Sequence, residues 1–428
     1  VVGIPPPRRT ASPRLPGGLG SHPVSTTRGK RAAGLVAVVV LAGAACSSGG
    51  DTTNSAEAGP DTERVRGVVE ALADDEMAGR NNRSDGSTLA QDFLVDQLGQ
   101  FTDPLDGDSL EGYGHTFTQG TNLLGVIPGG DRAEEHVVLG AHYDHLGQGS
   151  CGTDTPEDLV CNGAGDNASG VATVLEIGRA LAAAPEPPPR TVVLALWDAE
   201  EDGLAGSAAF VDDPPVPLGD IAVYLNWDIQ GSNLSPALAD STVMIGAETG
   251  GPNLIAAARA ATEHSPLSTL TLSLGFGDGR TSDHNTFAAA GVPTVFFTDG
   301  TTPCYHTPQD DMSHLDVDKL DQQINTGMAL ARDLVTTDDP PVYDGTAPPA
   351  TYDDAVSLLD VLPAGRSDFE RFPPEARATA ERFLIDLRAI VDAGEQAFDD
   401  ASVSTLLGGS AAVVQALNAG ECDGFLDP

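Results

Sequence analysis

Runs of apolar residues that stop abruptly at Gly, Asp or Pro recur through the middle of the chain. Four of them are HVVLGA (136–141), TVVLALW (191–197), IAVYLNW (221–227) and PTVFFTD (293–299). Uninterrupted apolar runs of this length, bounded by turn residues, are typical of strands buried on both faces of a parallel sheet. We therefore predict that these segments form the buried strands of such a sheet.

Segments with helical periodicity lie between and around these runs. The clearest are 62–80, 87–101, 168–184, 252–264 and 315–337. Strands that alternate with helices indicate an α/β fold, in which helices cover both faces of the sheet. We predict a mixed, mainly parallel central sheet in a domain that covers residues 61–337.

The composition changes again after this domain. Residues 338–354 are rich in Pro and Asp, which indicates a linker. Helical patterns return in residues 355–428, most clearly at 373–398. We predict a helical C-terminal appendage, whose role the sequence does not indicate.

The beginning of the chain has the pattern of an export signal. Residues 32–45 are uncharged and apolar, and three of the four residues at 28–31 are basic. Such a stretch is too short to cross a bilayer as a helix, but it suits the apolar core of a signal peptide. We predict an export signal over residues 1–45 and a flexible linker over 46–60.

Cys46 follows the apolar stretch directly, and this arrangement resembles a bacterial lipoprotein signal. The resemblance implies that Cys46 is lipidated and that this anchor is the protein's contact with a membrane. Gly43 departs from the pattern, which prefers Leu there, and cleavage by an ordinary signal peptidase near Ala42 and Ala44 is the alternative. Translation from Val24 would give a signal of ordinary length.

The chain is strongly acidic, with 63 Asp and Glu against 22 Lys and Arg and a net charge of −41. Binding to nucleic-acid phosphates requires clustered basic residues. The chain has only two lysines, Lys30 and Lys319, so we exclude nucleic acid as a partner. The charge also favours solubility and, weakly, cation binding.

Four cysteines remain when Cys46 is set aside, an even number that suits an oxidising compartment. No two have the C-x-x-C spacing of a zinc site. Cys151 and Cys161 flank a short polar loop, so we expect them to form a disulfide, and Cys304 would then pair with Cys422. Free buried thiols are the alternative.

A set of acidic and imidazole side chains follows the apolar runs or lies in a Gly-rich turn. These residues are His142, Asp166, Glu200, Glu201, Asp228 and His306. Ligand sites in open α/β sheets lie beyond the carboxyl ends of the strands, so we expect these side chains to converge. Imidazole together with carboxylate suits zinc, whereas an all-oxygen set would suit calcium or magnesium. The pattern therefore indicates a two-metal hydrolase, in which one carboxylate bridges the ions.

The neighbours of these residues add detail to the predicted site. Glu200 and Glu201 are adjacent at a strand end and point to different sides, so one can bind metal while the other faces a substrate. Asp144 lies two residues after His142, where it can hold the far ring nitrogen and fix the tautomer.

The motifs around these residues resemble those of metallopeptidase family 28, the two-zinc aminopeptidases. The similarity runs from about residue 62 to 335, and its ordered motifs are AGR, NLLGVIPGG, HYDHLG, GAGDNASG, WDAEEDGLAGS, NWDIQG, SDHNTF and YHTPQDD. The resemblance implies a zinc-aminopeptidase (phosphorylase/hydrolase-like) fold. It also implies an exported enzyme that removes residues from the N-termini of peptides or proteins.

The resemblance further implies a ligand set for two Zn²⁺ ions. His142 and Asp228 would hold one ion, Glu201 and His306 would hold the other, and Asp166 would bridge them.

The same resemblance implies the catalytic roles. Glu200 would be the general base, which takes a proton from a zinc-bound water and passes it to the leaving amine. Tyr305 would donate a hydrogen bond to the oxyanion. Asp283 lies near the site in relatives, as a structural or substrate contact, and a cis peptide is expected between Asp166 and Asn167.

Each of these residues also has a purely structural interpretation. His142 and His306 could be core histidines, the paired glutamates a solvated turn, and Asp166 a turn residue or helix cap. Tyr305 could simply pack, and His145 could belong to a structural network. The placement of the ligands at strand ends, in the family's order, favours the functional interpretation.

Three functions remain to be weighed against one another. An aminopeptidase is favoured, because the segment between the N-terminal helices and HYDHLG is too short for the insertion of a carboxypeptidase, and EEDGLAGS lacks the interruption expected of a glutaminyl cyclase. A non-catalytic binding protein, such as the transferrin receptor, would have lost metal ligands, and none is lost here. Neither the preferred side chain nor the oligomeric state can be predicted.

Overall fold

The computed structural model describes residues 59–105, 110–152, 159–273, 275, 281–418 and 422. The predicted signal, Cys46 and the linker before residue 59 lie outside the described residues. The strands are β1 (Asp103–Pro104), β2 (Gly114–Thr116), β3 (Thr121–Ile127), β4 (Arg132–His142), β5 (Gly147–Gln148), β6 (Val160–Cys161), β7 (Arg190–Trp197), β8 (Ile221–Trp227), β9 (Ser241–Ile245), β10 (Ser268–Leu272) and β11 (Thr294–Thr298).

The four predicted strands are β4, β7, β8 and β11, and they lie side by side in the order β7-β4-β8-β11. All three pairings among them are parallel. His142 at the end of β4 lies opposite Trp197 at the end of β7, and Trp227 at the end of β8 lies opposite Phe297 of β11. The carboxyl ends of the four strands therefore meet along one edge of the sheet.

The sheet changes direction on both sides of this parallel block. β3 pairs antiparallel with β7, and β1 and β2 pair antiparallel with β3. On the other side, β9 is antiparallel to β11 and parallel to β10. The sheet is mixed, as predicted, but four of its eight described pairings are antiparallel, so its parallel character is limited to the middle and one edge.

Helices cover both faces of the sheet. They are α1 (Thr62–Leu72), α2 (Asp85–Leu98), α3 (Ser169–Ala182), α4 (Ala205–Asp212), α5 (Gly251–Thr262), α6 (His284–Ala289), α7 (Val317–Thr336), α8 (Tyr352–Val361), α9 (Pro374–Ala393) and α10 (Asp400–Leu417). Within the described ranges, no helix is both long and apolar enough to cross a membrane.

Successive residues of β4 point to opposite layers of the structure, as the period of a strand requires. Val137, Leu139 and Ala141 belong to the larger apolar core, which α1, α2, α3, α5 and α7 cover. Val138 belongs to a second core on the other face, which contains Phe210 of α4 and Phe287 of α6. The central strand is thus buried on both faces, which explains its uninterrupted apolar sequence.

The helix predicted over 62–80 is wrong in its second half. α1 ends at Leu72, and a 3₁₀ turn over Asp75–Arg80 follows, in which Gly79 has a φ of 68°. A Cβ atom at Gly79 would lie 2.6 Å from the backbone oxygens of Gly147 and Cys161, so only glycine fits this close approach. The turn directs Arg80 into the interior.

The C-terminal appendage packs directly against one edge of the sheet. Buried residues of α8, α9 and α10 form one apolar cluster with Leu270 and Leu272 of β10. Thr351 and Asp354 form a capping box at the start of α8, so the predicted linker ends at residue 351 rather than 354. The appendage is therefore part of the folded unit and not a separate module.

Candidate metal centre

The parallel block brings the predicted site residues to one edge of the sheet. Their positions are the end of β4 for His142, the turn after β7 for Glu200 and Glu201, the residue after β8 for Asp228, the loop after β11 for His306, and the turn before α3 for Asp166. Because the four strands are parallel neighbours, elements far apart in sequence meet there.

Asp166 lies between the two histidines. Its Oδ1 is 3.2 Å from Nε2 of His142, and its Oδ2 is 3.2 Å from Nε2 of His306. One carboxylate therefore faces both imidazole rings, with one oxygen turned to each.

Each histidine also faces a second carboxylate. His142 Nε2 is 3.3 Å from Oδ1 of Asp228, and His306 Nε2 is 3.2 Å from Oε2 of Glu201. The structure thus forms two imidazole–carboxylate pairs that share Asp166. This is the arrangement of ligands that a bridged pair of metal ions requires.

The side chains of this cluster suit a metal in their chemistry and their spacing. His306 Nε2 is buried, yet it has no aligned hydrogen bond within the described part of the chain, although two carboxylate oxygens lie 3.2 Å away. Ligand atoms of His142, Glu200 and Asp228 also lie within 4.8 Å of one another. Such a dense group of carboxylates calls for cations.

Asp144 supports the site through both its backbone and its side chain. Its carbonyl oxygen lies 3.1 Å from Nδ1 of His142 and can only accept a hydrogen bond, so Nδ1 carries a proton and Nε2 is the nitrogen that a metal can use. Its carboxylate is 3.6 Å from Nδ1 and instead accepts the backbone N–H groups of Glu200, at 3.0 Å, and Glu201, at 3.3 Å. Asp144 therefore holds the far ring nitrogen of His142 through its backbone carbonyl and not through its carboxylate.

The carboxylates differ in their proton affinity. Burial raises the pKa of Glu200 well above its usual range. Burial opposes ionisation of Asp166 too, but the imidazoles of His142 and His306, each 3.2 Å from one of its oxygens, outweigh it and hold the pKa of Asp166 well below the usual range. Asp166 is therefore ionised and available to cations, whereas Glu200 holds a proton more readily than an ordinary glutamate.

The pKa values of the two histidines are both raised. Burial lowers the pKa of His306, but the carboxylates of Asp166 and Glu201, each with an oxygen 3.2 Å from its Nε2, raise it more, to about 10. Burial likewise opposes charge on His142, and the carboxylates of Asp228 and Glu200 raise its pKa well above the ordinary value. In the protein without metal, protons on these rings balance the carboxylates, and a metal ion would replace them.

Tyr305 lies beside the cluster. Its ring stacks on that of His306, with centroids 3.7 Å apart, and it lines a cleft together with Asp166, Ile229 and Ser232. Burial and the nearby carboxylates, Asp166 first among them, raise its pKa above the ordinary value. The phenol therefore stays protonated and can donate a hydrogen bond.

Asn167 and Asp283 lie beside the cluster. The peptide between Asp166 and Asn167 is cis, and the Asn167 side chain donates to the Trp227 carbonyl at 2.9 Å and accepts from the Gly170 N–H at 3.1 Å. Asp283 is fully buried, and burial raises its pKa to about 7. Neither is placed as a metal ligand.

Sequence reasoning gave His145 no defined role in the site. Its Nδ1 lies 2.8 Å from Oε1 of Glu201 and 3.9 Å from Oδ2 of Asp166, and the ring is fully buried. It therefore orients Glu201 from behind. The H-x-x-H spacing of His142 and His145 indicates that both rings could belong to one site, but it does not indicate which ring would face a metal.

Arg80 and Asp310 were also missed as parts of the site. Asp310 accepts the backbone N–H groups of Gly165, at 2.8 Å, and Asp166, at 3.0 Å, and so holds the turn that carries Asp166. Arg80 is fully buried and donates to backbone carbonyls on several segments, which are those of Leu72, Tyr143, Asn162, Gly163 and Asp166. The motifs that contain them, AGR and TPQDD, can be recognised in the sequence, but the sequence does not reveal these contacts.

The four cysteines form the two expected disulfides, Cys151–Cys161 and Cys304–Cys422. Both lie close to His306 in the chain or in space. Cys304 precedes it by two residues, and Gly152, next to Cys151, donates its N–H to the His306 carbonyl at 3.1 Å.

Comparison with known proteins identifies the family of the domain that carries this cluster. Residues 122–331 match the model of peptidase family M28. The chain carries a peptidase family M28 domain. Leucine aminopeptidase 1 of Ajellomyces capsulatus (strain H88) is 29% identical over 242 residues, which are 54% of this chain and 60% of that protein. The chain thus spans less than two thirds of the length of this relative.

Solved structures share the fold at low sequence identity. Legionella pneumophila LapA aminopeptidase superposes with a TM-score of 0.53 and 19% identity, over 65% of this chain and 72% of that one. Bacteroides thetaiotaomicron glutaminyl cyclase superposes with a TM-score of 0.51 and 18% identity, over 64% of this chain and 98% of that one. Since an aminopeptidase and a cyclase match about equally well, the likeness establishes the fold and does not distinguish between these activities.

Proposed function

We propose that this protein is a zinc-dependent aminopeptidase that hydrolyses the N-terminal peptide bond of peptides or proteins. The observation that carries the proposal is the position of Asp166, whose two oxygens each face one imidazole–carboxylate pair. The family M28 domain and the aminopeptidase relative support the same class of reaction.

The metal ligands in this proposal are the five clustered residues. His142 and Asp228 hold one zinc ion, Glu201 and His306 hold the second, and Asp166 bridges them. Mixed imidazole and carboxylate ligands favour zinc over calcium or magnesium. Bound zinc would supply a Lewis acid and an acidified water.

Glu200 transfers the proton in the proposed reaction. It is half-buried beside His142 and Asp228, in the turn that also presents Glu201. Its raised pKa suits a group that takes a proton from the attacking water, holds it, and delivers it to the leaving amine.

Tyr305 and the site's carboxylates bind the substrate. The protonated phenol of Tyr305 donates a hydrogen bond to the oxygen of the scissile carbonyl as negative charge develops there. Carboxylates of the cluster hold the free ammonium group of the substrate, which restricts cleavage to the first residue.

Export, and a lipid anchor at Cys46, belong to the same proposal. Two disulfides suit an oxidising compartment. The chain would then act on peptides outside the cytoplasm, either at a membrane surface through the anchor or after release.

The test is hydrolysis of leucine p-nitroanilide by the purified protein, before and after chelation and after zinc is added back. Activity that chelation removes and zinc restores supports the proposal. A folded protein that binds zinc but does not cleave this substrate contradicts it and moves the assignment to a carboxypeptidase or glutaminyl cyclase. A folded protein that binds no zinc indicates a binding module.

A further inference from the structure

The loop that carries Tyr305 and His306 is tied to the C-terminal appendage at two points. Cys304, immediately before Tyr305, is buried and forms a disulfide with Cys422. Three residues earlier, Thr301 exchanges hydrogen bonds with the side chain of Asn418, at 3.0 and 2.7 Å. Both partners lie beyond residue 331, where the match to the peptidase family ends.

His306 needs such support because of its backbone. Its φ is 57°, in the left-handed region that non-glycine residues rarely adopt. A residue stays in that region only where the surrounding structure holds it there. On one side the support is the N–H of Gly152, which binds the His306 carbonyl at 3.1 Å. The appendage supplies the support on the other side, through Cys304.

The far end of this support is itself fixed to the sheet. Leu406, Val413 and Leu417 of α10 are buried in the cluster that also contains β10. At the start of α8, Asp354 accepts hydrogen bonds from the N–H of Ser273 at 3.0 Å and from its hydroxyl at 2.9 Å. The appendage is therefore packed against the sheet at its far end, so it can hold the loop in place.

A second loop of the site also rests on the appendage. Asp368 accepts the N–H of Ala237 at 2.6 Å, in the segment that follows Asp228 and β8. Leu234 and Leu238 of that segment line an apolar cavity together with Phe369 and Phe383 of the appendage. Two of the loops that present metal ligands are thus supported from the same side.

We propose that the C-terminal appendage is a positioning element of the peptidase site, which holds His306 and Tyr305 in place through the Cys304–Cys422 and Thr301–Asn418 links. The proposal rests on the function proposed above. The links do not touch substrate, and they act through the ligand and the phenol that they position.

The test compares the full chain with the double variant C304S/C422S and with N418A. The readouts are kcat and KM for leucine p-nitroanilide, and the rate at which each zinc-loaded protein loses metal to a chelator. We expect the double variant to lose metal faster and its kcat to fall by roughly 10-fold or more, with a smaller change in KM. N418A, which keeps the disulfide, should change both readouts in the same direction but less.

Tyr352→Phe is the matched control, because among the described residues this hydroxyl donates within the appendage, to the Val391 carbonyl at 3.0 Å. Its kcat and metal release should equal those of the unmodified protein. Unchanged metal release and kcat in a folded C304S/C422S protein would overturn the proposal, and if that variant does not fold, an unchanged N418A would do so. If the unmodified protein has no peptidase activity, the proposed function fails, while the comparison of metal release still decides this inference.

Discussion

Arg80 donates a hydrogen bond to the backbone carbonyl of Asp166, 86 residues away, with its guanidinium wholly buried. The same group binds the Gly163 carbonyl at 2.6 Å and the Tyr143 carbonyl at 2.8 Å. A single side chain thus joins the turn after α1 to the segment after β4 and the turn before α3. The first of these last two segments directly follows His142 and the second carries Asp166, so the contact organises the site although none of these bonds is to the side chain of a proposed metal ligand.

Replacing Arg80 with Met should therefore destabilise the metal-free protein severely. The change leaves several buried carbonyl groups without a donor, and we expect a loss of about 3 kcal/mol or more in the free energy of unfolding. Urea unfolding followed by circular dichroism measures it.

Arg259→Met is the control for this experiment. Arg259 pairs with Asp353 at 3.4 Å, and the two side chains are 69% and 77% exposed. Water compensates for the loss of such a pair, so the effect should be about 1 kcal/mol or less. Equal losses in the free energy of unfolding for the two variants would show that Arg80 stabilises the fold no more than an exposed arginine does.

Replacing Glu200 with Gln should remove turnover and leave zinc binding intact. The amide keeps the size of the side chain but cannot accept a proton, so kcat should fall by roughly 100- to 10,000-fold. Zinc content, measured by atomic emission after gel filtration, should match that of the unmodified protein. Asp202→Asn, an exposed change two residues away, should alter neither quantity. Normal kcat in the Glu200→Gln variant would exclude the general-base role.

Zinc uptake should release protons, and its affinity should rise with pH. Without metal, the pKa of His306 is about 10, and that of His142 is well above the ordinary value, so both rings are protonated at pH 7. Zinc binds only the neutral ring, so we expect release of about two protons per chain at pH 7. As the pH rises toward 10, fewer protons compete, and the affinity increases.

Calorimetry of zinc binding in buffers of different ionisation enthalpy measures this release. His306→Ala should lower it by about one proton, because one protonated ring is gone. His264→Ala changes an exposed histidine away from the cluster and should leave the release unchanged. A binding heat that does not depend on the buffer would show that the rings are already neutral.

Much of this architecture follows from the sequence alone. The runs at 191–197 and 221–227 are apolar on both faces because helices cover both sides of the sheet, so their burial could be predicted. The polar residues directly after them are the ones that meet, because parallel strands end at one edge. The local pattern of apolar and polar residues was enough to predict the strands and the residues at their ends.

The features that the sequence did not reveal depend on contacts between distant segments. The break after Leu72 arises because Gly79 meets backbone atoms of Gly147 and Cys161, and no helical periodicity records such a contact. The residues of β9 likewise do not indicate that it pairs with β11 in the antiparallel direction. Buried arginines such as Arg80 look like surface residues until their acceptors are known.

Replacing Tyr305 with Phe tests the proposed oxyanion donor. The change keeps the ring that stacks on His306 but removes the donor, so zinc binding and KM should change little. Loss of one oxyanion donor typically lowers kcat by roughly 100-fold or more, and we expect that magnitude for leucine p-nitroanilide. Tyr343→Phe removes a hydroxyl that binds the Ala288 carbonyl at 3.0 Å, outside the site, and should leave kcat unchanged. If Tyr305→Phe also has normal kcat, the phenol only packs against His306, and the oxyanion must be stabilised by other groups.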